Sequence, residues 1–152
     1  MATVAKAAEL ISANPTIAEF VGGVPFEEVW VAENRLEVTL PDSYRDFLQK
    51  YGSGYLGAVS VYGLGTPDDG PPNVVWATEL LRGADDFFPV DLVPIQDMGQ
   101  GDILCLATSR MDEGNECPVV QWIPEMSFEE QMFEVVNKTF AHFLLRLAKS
   151  AL

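Results

Sequence analysis

The chain has 152 residues, of which 48% are hydrophobic and 11% aromatic, and this composition excludes intrinsic disorder and predicts one folded domain with a substantial core. Asp and Glu number 23 against 9 Lys and Arg, which gives a net charge of -14. Such a field repels phosphate backbones and anionic lipid headgroups, so we expect neither a nucleic acid nor a membrane as partner, but a basic protein. The alternative interpretation is that the charge only keeps the protein soluble.

The first helix is predicted over Val4–Ala13, with Thr3 as its N-terminal cap. Pro15 ends it, because the residue before a proline avoids the helical conformation. Residues 17–21 are predicted to add one or two further helical turns before Gly22 breaks them.

The most strongly marked helix is predicted over residues 41–50. Pro41 suits a first helical turn, Asp42 lies near the positive end of the helix dipole, Lys50 lies near the negative end, and Gly52 stops the helix. The residues expected to face the core are Leu40, Tyr44, Phe47, Leu48 and Tyr51.

A strand is predicted over residues 58–62, followed by an exposed loop over 65–73 that is rich in Pro, Gly and Asp. A helix over 74–82 comes next and ends at Gly83. Its predicted buried stripe consists of Trp76, Ala77, Leu80 and Leu81.

Three further strands are predicted over residues 92–96, 103–107 and 118–123, and their short connections indicate antiparallel pairing. The chain then closes with an amphipathic helix that begins near Phe140. The element order predicts an α+β fold: a mostly antiparallel sheet with helices packed against it, including N-terminal helices and a C-terminal helix.

Residues with the usual chemistry of active sites are few. The single histidine, His142, lies between Lys138 and Arg146 on the polar face of the last helix, a pattern typical of a solvated, structural side chain. Cys105 and Cys117 have no C-x-x-C spacing, so we expect reduced structural thiols. We therefore predict no cofactor, no metal and no catalysis.

The sequence also has no segment that resembles a membrane span or a signal peptide. No apolar run in the sequence reaches the length that crosses a bilayer, and residues 1–10 lack the apolar segment of a signal peptide. We expect a cytoplasmic protein.

Several segments resemble the SUKH superfamily, which includes fungal cell-wall synthesis regulators and bacterial toxin-immunity proteins. The family's opening signature is similar to residues 33–40 followed by Pro41, Tyr44, Phe47 and Leu48. Its later strands and closing helix resemble residues 61–64, 93–95, 101–106, 118–122 and 140–144. Glu37 stands where the family commonly has Gly. Residues 1–30 have no counterpart that we can place. We therefore predict that residues 1–152 form one SUKH-like domain in which residues 1–30 are a poorly matched N-terminal helical extension.

The resemblance implies a non-catalytic protein-binding module. In bacterial members the implied role is immunity, in which the protein binds a cognate toxin, often a nuclease, and blocks it. The fungal members imply an alternative, a regulatory scaffold in cell-wall synthesis or morphogenesis. A third hypothesis, taken from the residues alone, is a hydrolase that uses loop carboxylates.

The contact surface of such a module is predicted in two acidic loops, because loops can vary without disturbing the core. The first loop contributes Asp68 and Asp69, and the second contributes Asp112, Glu113 and Glu116. The alternative is that these side chains only form solvated turns.

Overall fold

The computed structural model describes residues 3–97 and 102–152. Within these residues the chain forms five α-helices: α1 Val4–Ala13, α2 Phe26–Leu36, α3 Asp42–Lys50, α4 Val74–Ala84 and α5 Phe140–Ser150. The same residues form seven strands: β1 Ala18–Phe20, β2 Gly54–Leu56, β3 Val59–Val61, β4 Leu92–Asp97, β5 Ile103–Ala107, β6 Val119–Trp122 and β7 Val135–Asn137. The predicted α+β class is confirmed, with N-terminal helices and a C-terminal helix. No helix among the described residues is long and apolar enough to cross a bilayer.

The N-terminal helix α1 is confirmed with its cap, since the Thr3 hydroxyl accepts a hydrogen bond from the Lys6 amide at 3.3 Å. The prediction of further α-helical turns over residues 17–21 is wrong. A short 3-10 turn, Pro15–Ile17, leads instead into β1, which pairs antiparallel with β2. The pairing is a long-range contact, and it overrides the local cap signal of Asn14 and Pro15.

Helix α2 was not predicted from the sequence. Its buried side Val29, Ala32 and Leu36 has helical spacing, but Trp30 and Val31 on the opposite side are apolar and exposed. Apolar residues therefore lie on both sides of this helix, which weakens the contrast between faces that marks an amphipathic helix.

Helix α3 is confirmed, but it begins at Asp42, one residue later than predicted, with Pro41 as its N-terminal cap residue. Leu40, Tyr44, Phe47 and Leu48 are buried as expected, and Tyr51 is half-buried. The Tyr44 hydroxyl donates to the Tyr62 carbonyl oxygen at 2.7 Å, so the one polar atom of this ring is satisfied inside the core.

Helix α4 is confirmed, but its predicted buried stripe is partly wrong. Leu80 is 52% exposed, whereas Val74 and Thr78 are buried. The Thr78 hydroxyl is satisfied by the Val74 carbonyl oxygen at 2.7 Å, which allows a polar residue to occupy the inner face.

The strands form two antiparallel sheets, β1-β2-β3 and β4-β5-β6-β7. The three predicted strands of the larger sheet are confirmed, and β2 and β7 are additions that were not predicted. A hydrogen bond of 2.9 Å from the Tyr62 amide to the Ile95 carbonyl oxygen connects the two sheets. Gly101, within the resembling segment 101–106, lies outside the described residues.

Strand β5 is buried on both faces. Leu104 and Leu106 belong to the main core, which the helices cover. On the other face, Ile103, Cys105 and Ala107 belong to a second core with Phe88, Leu92, Val120 and Trp122. A strand with two buried faces reads as an unbroken apolar run, which is the pattern of residues 103–107.

Candidate interaction surface

The first acidic loop is held at both ends. The side chain of Asn73 caps α4: its Oδ1 accepts from the Trp76 amide at 2.9 Å, and its Nδ2 donates to the Thr66 carbonyl oxygen at 3.1 Å. The Asp68 carboxylate pairs with Arg35 of α2 at 2.8 Å. Asp69 is exposed and forms no hydrogen bond or ion pair with any described residue.

Arg35 joins this loop to two helices. Its guanidinium also binds Glu79 of α4 through two hydrogen bonds, 3.0 Å from Nε and 2.7 Å from Nη2. These hydrogen bonds with Glu79 and Asp68 raise the pKa of Arg35 further above its usual value. The network gives Asp68 a structural role, and its contact with a partner stays a prediction.

The second acidic loop is built around Asp112. Its Oδ1 accepts from the amides of Gly114 and Glu116, both at 2.9 Å, and the Asp112 amide donates to the Glu116 carbonyl oxygen at 2.8 Å. An Asp that bonds its own backbone in this way closes the turn. Glu113 is exposed at the tip of this turn and forms no bond with a described residue.

Glu116 caps α3 from a distant part of the chain. Pro41 has no side-chain group that could cap the helix, and the Glu116 carboxylate accepts instead from the Ser43 amide at 3.0 Å and the Ser43 hydroxyl at 2.6 Å. Burial raises the pKa of Glu116 above its usual value of 4.5, and the two bonds from Ser43 act in the opposite direction. Glu116 is therefore part of the fold as well as of the acidic surface.

Glu33 was not predicted as a site residue, although it lies in the segment that resembles the SUKH opening signature. Its carboxylate is buried, with 9% of the residue exposed, and accepts from the Leu40 amide at 2.8 Å and from Arg45 at 2.7 Å. Arg45 also lies 3.9 Å from Asp42. The sequence signal was the acidic residue in the SUKH-like opening segment, but its partners are known only from the fold.

Helices α2 and α3 connect the two loops through these contacts, and the carboxylates of the loops and of α2, α3 and α4 are together called the acidic surface. Its ten carboxylates belong to Glu33, Glu37, Asp42, Asp46, Asp68, Asp69, Glu79, Asp112, Glu113 and Glu116. One open cavity of about 440 Å³ is lined by Glu33, Glu37 and Arg45, and a second of about 360 Å³ by Asp42, Asp46, Asp112, Glu116 and His142. Both arginines, Arg35 and Arg45, are each bound by two of these carboxylates, so the surface keeps a large negative excess.

The side chains that catalysis or metal binding would most often use are the two cysteines, the histidine and the carboxylates. Cys105 and Cys117 are free and buried. Burial raises the pKa of both thiols, that of Cys117 to about 12, so neither is a thiolate at neutral pH. The Nδ1 of His142 lies 2.7 Å from the Thr139 hydroxyl. No group of three His, Cys, Asp or Glu side chains is placed to hold a metal in residues 3–97 or 102–152.

Residues 4–148 match the model of the family described as SMI1-KNR4 cell-wall, SUKH_5. The chain belongs to the SUKH superfamily. The match begins in α1 and so includes most of residues 1–30, for which sequence inspection gave no counterpart. In this SUKH domain, Glu37, which replaces the family's common Gly, has a φ of 59°.

The SUKH fold is also similar to the solved structure of a protein from Pseudomonas syringae pv. tomato. The two share 17% sequence identity with a TM-score of 0.60, over 90% of this chain and 93% of that chain. At this identity the likeness concerns the fold alone.

Proposed function

We propose that this SUKH domain is a non-catalytic immunity protein that neutralises a cognate toxin by binding it through the acidic surface. The observation that supports the proposal is that the acidic surface has ten carboxylates and that Arg35 and Arg45 are each already paired with two of them. A partner then meets an unbalanced negative field, which accelerates the encounter with a basic surface.

A nuclease toxin suits this field best. Enzymes that cleave nucleic acid bind phosphates with Lys and Arg, so their substrate groove is basic. A rigid acidic surface that fills the groove excludes the substrate and requires no chemistry of its own.

Two of the predicted contact residues are the most informative for a test. Asp68, Asp112 and Glu116 hold the fold through Arg35, the second loop and α3, so their replacement would change stability as well as charge. Asp69 and Glu113 are exposed and form no bond with a described residue. Their neutralisation changes the field with little effect on folding.

The test is expression of the products of neighbouring genes, each alone and together with this protein. We expect one product to arrest growth alone, to be harmless with this protein, and to copurify with it. The double variant Asp69→Asn, Glu113→Gln should slow association severalfold at low salt and less at high salt, because screening weakens the same attraction.

The matched control is Glu9→Gln, which removes one exposed carboxylate from α1, outside the acidic surface. It should leave the association rate nearly unchanged. If no neighbouring product is toxic or forms a complex, the immunity role is wrong. If a complex forms with a rate insensitive to salt and to the double variant, the acidic surface is not the contact.

The alternative role is a regulatory scaffold in cell-wall synthesis, and the cell-wall description of the matching family favours it. Deletion of the gene separates the two roles. A scaffold predicts an envelope defect in cells that lack any toxin, whereas immunity predicts a defect only when the toxin is made.

A further inference from the structure

A second surface, made of segments other than the two acidic loops, covers the second core. It is formed by residues 85–91 and 123–134. Ring contacts run outward from buried Trp122 to Phe133 at 6.0 Å, from Phe133 to Phe128 at 6.1 Å, and from Phe128 to Phe87 at 6.4 Å. An aromatic ladder therefore connects the core to the surface.

The outer end of this ladder is unusually apolar for a surface. Phe87 is 68% exposed and Met132 is 80% exposed, and Phe128 and Val90 are exposed beside them in the same two segments. Aromatic and Met side chains are enriched at protein interfaces, and a cluster of this kind marks a contact site more often than scattered exposure does.

The segment is built to hold these side chains in place. The Gln131 side chain is buried. Its Nε2 donates to the carbonyl oxygens of Ile123 and Met126, and its Oε1 accepts from the backbone amide of Ile123 at 3.1 Å. These bonds close residues 123–131 into a loop with a 3-10 turn, Phe128–Glu130. The apolar tip is thus positioned before any partner arrives, which lowers the entropy cost of binding.

A small open cavity of about 230 Å³ lies beside the tip. Its lining includes the apolar side chains Pro89, Leu92, Phe128 and Phe133, and Asp91 and Arg110 are among its polar residues. It offers a recess for one side chain of a partner.

The charges of the two segments have one sign. Residues 85–91 and 123–134 contain seven Asp and Glu and no Lys or Arg. Two cations of other segments contact them: Arg82 donates to the Val90 carbonyl oxygen at 2.7 Å, and Arg110 borders the cavity.

From this combination we propose that the aromatic-acidic surface, residues 85–91 and 123–134, is a second docking site that binds a cationic segment of another protein with an apolar anchor residue. The apolar tip and cavity receive the anchor, and the carboxylates around them pair with Lys and Arg on either side of it. A second copy of this chain does not fit, because a symmetric interface would bring the same carboxylates face to face. An anionic membrane is repelled for the same reason.

The test uses a defined probe, a peptide with Leu-Phe at its centre and Lys or Arg at all other positions. Backbone amide shifts of the isotope-labelled protein are followed by NMR as the peptide is added. We expect shifts confined to residues 85–91 and 123–134. The double variant Phe87→Ser, Met132→Ser removes exposed side chains only, so it should fold normally and bind at least about tenfold more weakly.

Two peptide controls and two protein controls make the result decisive. A peptide with Glu in place of Lys and Arg, and one with Ala-Ala in place of Leu-Phe, should bind at least about tenfold more weakly than the probe. Trp30→Ser on α2, and the double variant Asp69→Asn, Glu113→Gln, should bind the probe as the native protein does.

Equal binding of either control peptide, shifts centred on the acidic surface, or an unchanged affinity of the Phe87→Ser, Met132→Ser variant would overturn the proposal. Self-association through these residues would overturn it as well, in favour of a second copy. Because the Asp69 and Glu113 variant leaves this site intact, a failure here is distinct from a failure of the immunity role.

Discussion

Glu37 has a left-handed backbone at the C-terminal end of α2, with φ 59° and ψ 41°. A non-glycine residue there costs about 1–2 kcal/mol, and glycine loses about 0.5–1 kcal/mol more conformational freedom on folding. Glu37→Gly should therefore stabilise the fold by about 0.5–1 kcal/mol, measured as a higher urea midpoint at constant m value.

The matched control is the same replacement earlier in the same helix. Glu28 is exposed in the first turn of α2, where the backbone is helical. Glu28→Gly should destabilise by about 1 kcal/mol. If both variants shift the midpoint in the same direction, the backbone of Glu37 is not the cause.

At the scale of elements, α2 is tied to its neighbours by two arginines in different surroundings. Arg45 of α3 neutralises Glu33, which is buried, whereas Arg35 binds Asp68 and Glu79 in an exposed network. Removing one partner of a buried pair leaves an uncompensated charge, so Arg45→Met should destabilise by about 2–3 kcal/mol. Arg35→Met should cost less than about 1 kcal/mol, because exposed pairs contribute little.

Chemical denaturation of both variants measures this difference. A double variant Glu33→Gln, Arg45→Met should recover part of the stability lost in Arg45→Met. The side-chain oxygen of the new Gln can still accept from the Leu40 backbone amide, and no buried charge remains. Equal losses for Arg45→Met and Arg35→Met would mean that the burial of Glu33 does not decide the energy.

At the scale of the whole molecule, the net charge of -14 opposes compaction. Raising NaCl from about 0.01 M to about 0.1 M shortens the screening length from about 30 Å to about 10 Å. At pH 7 we expect this step to stabilise the fold by about 1 kcal/mol, or about 2–4 °C in Tm. Calorimetry at the two salt concentrations measures it.

The control is the same salt step near the sequence pI of about 4.2, where the net charge is close to zero. The rise in Tm should largely disappear there. An equal rise at both pH values would assign the effect to salt in general and not to self-repulsion.

The acidic contact residues were predicted from the sequence only as charges on loops. Asp69 and Glu113 have no partner among the described residues, while Asp68, Asp112 and Glu116 have structural partners, and the contact role of all five stays a prediction. Those partners are 33 positions away for Asp68 and 73 positions away for Glu116, and no local pattern encodes contacts of that range. The charge of the acidic surface could therefore be predicted from the sequence, whereas the contacts that hold its residues in place could be identified only from the fold.

The sequence by itself determined the family, the α+β class, α1, α3, α5 and the three central strands, because caps, helical spacing and apolar runs are local signals. Only the tertiary structure decided α2, β1, β2 and β7, and the inner face of α4. In these elements the deciding interactions are strand pairing and burial against distant residues. They are absent until the chain has folded, so a local pattern cannot carry them.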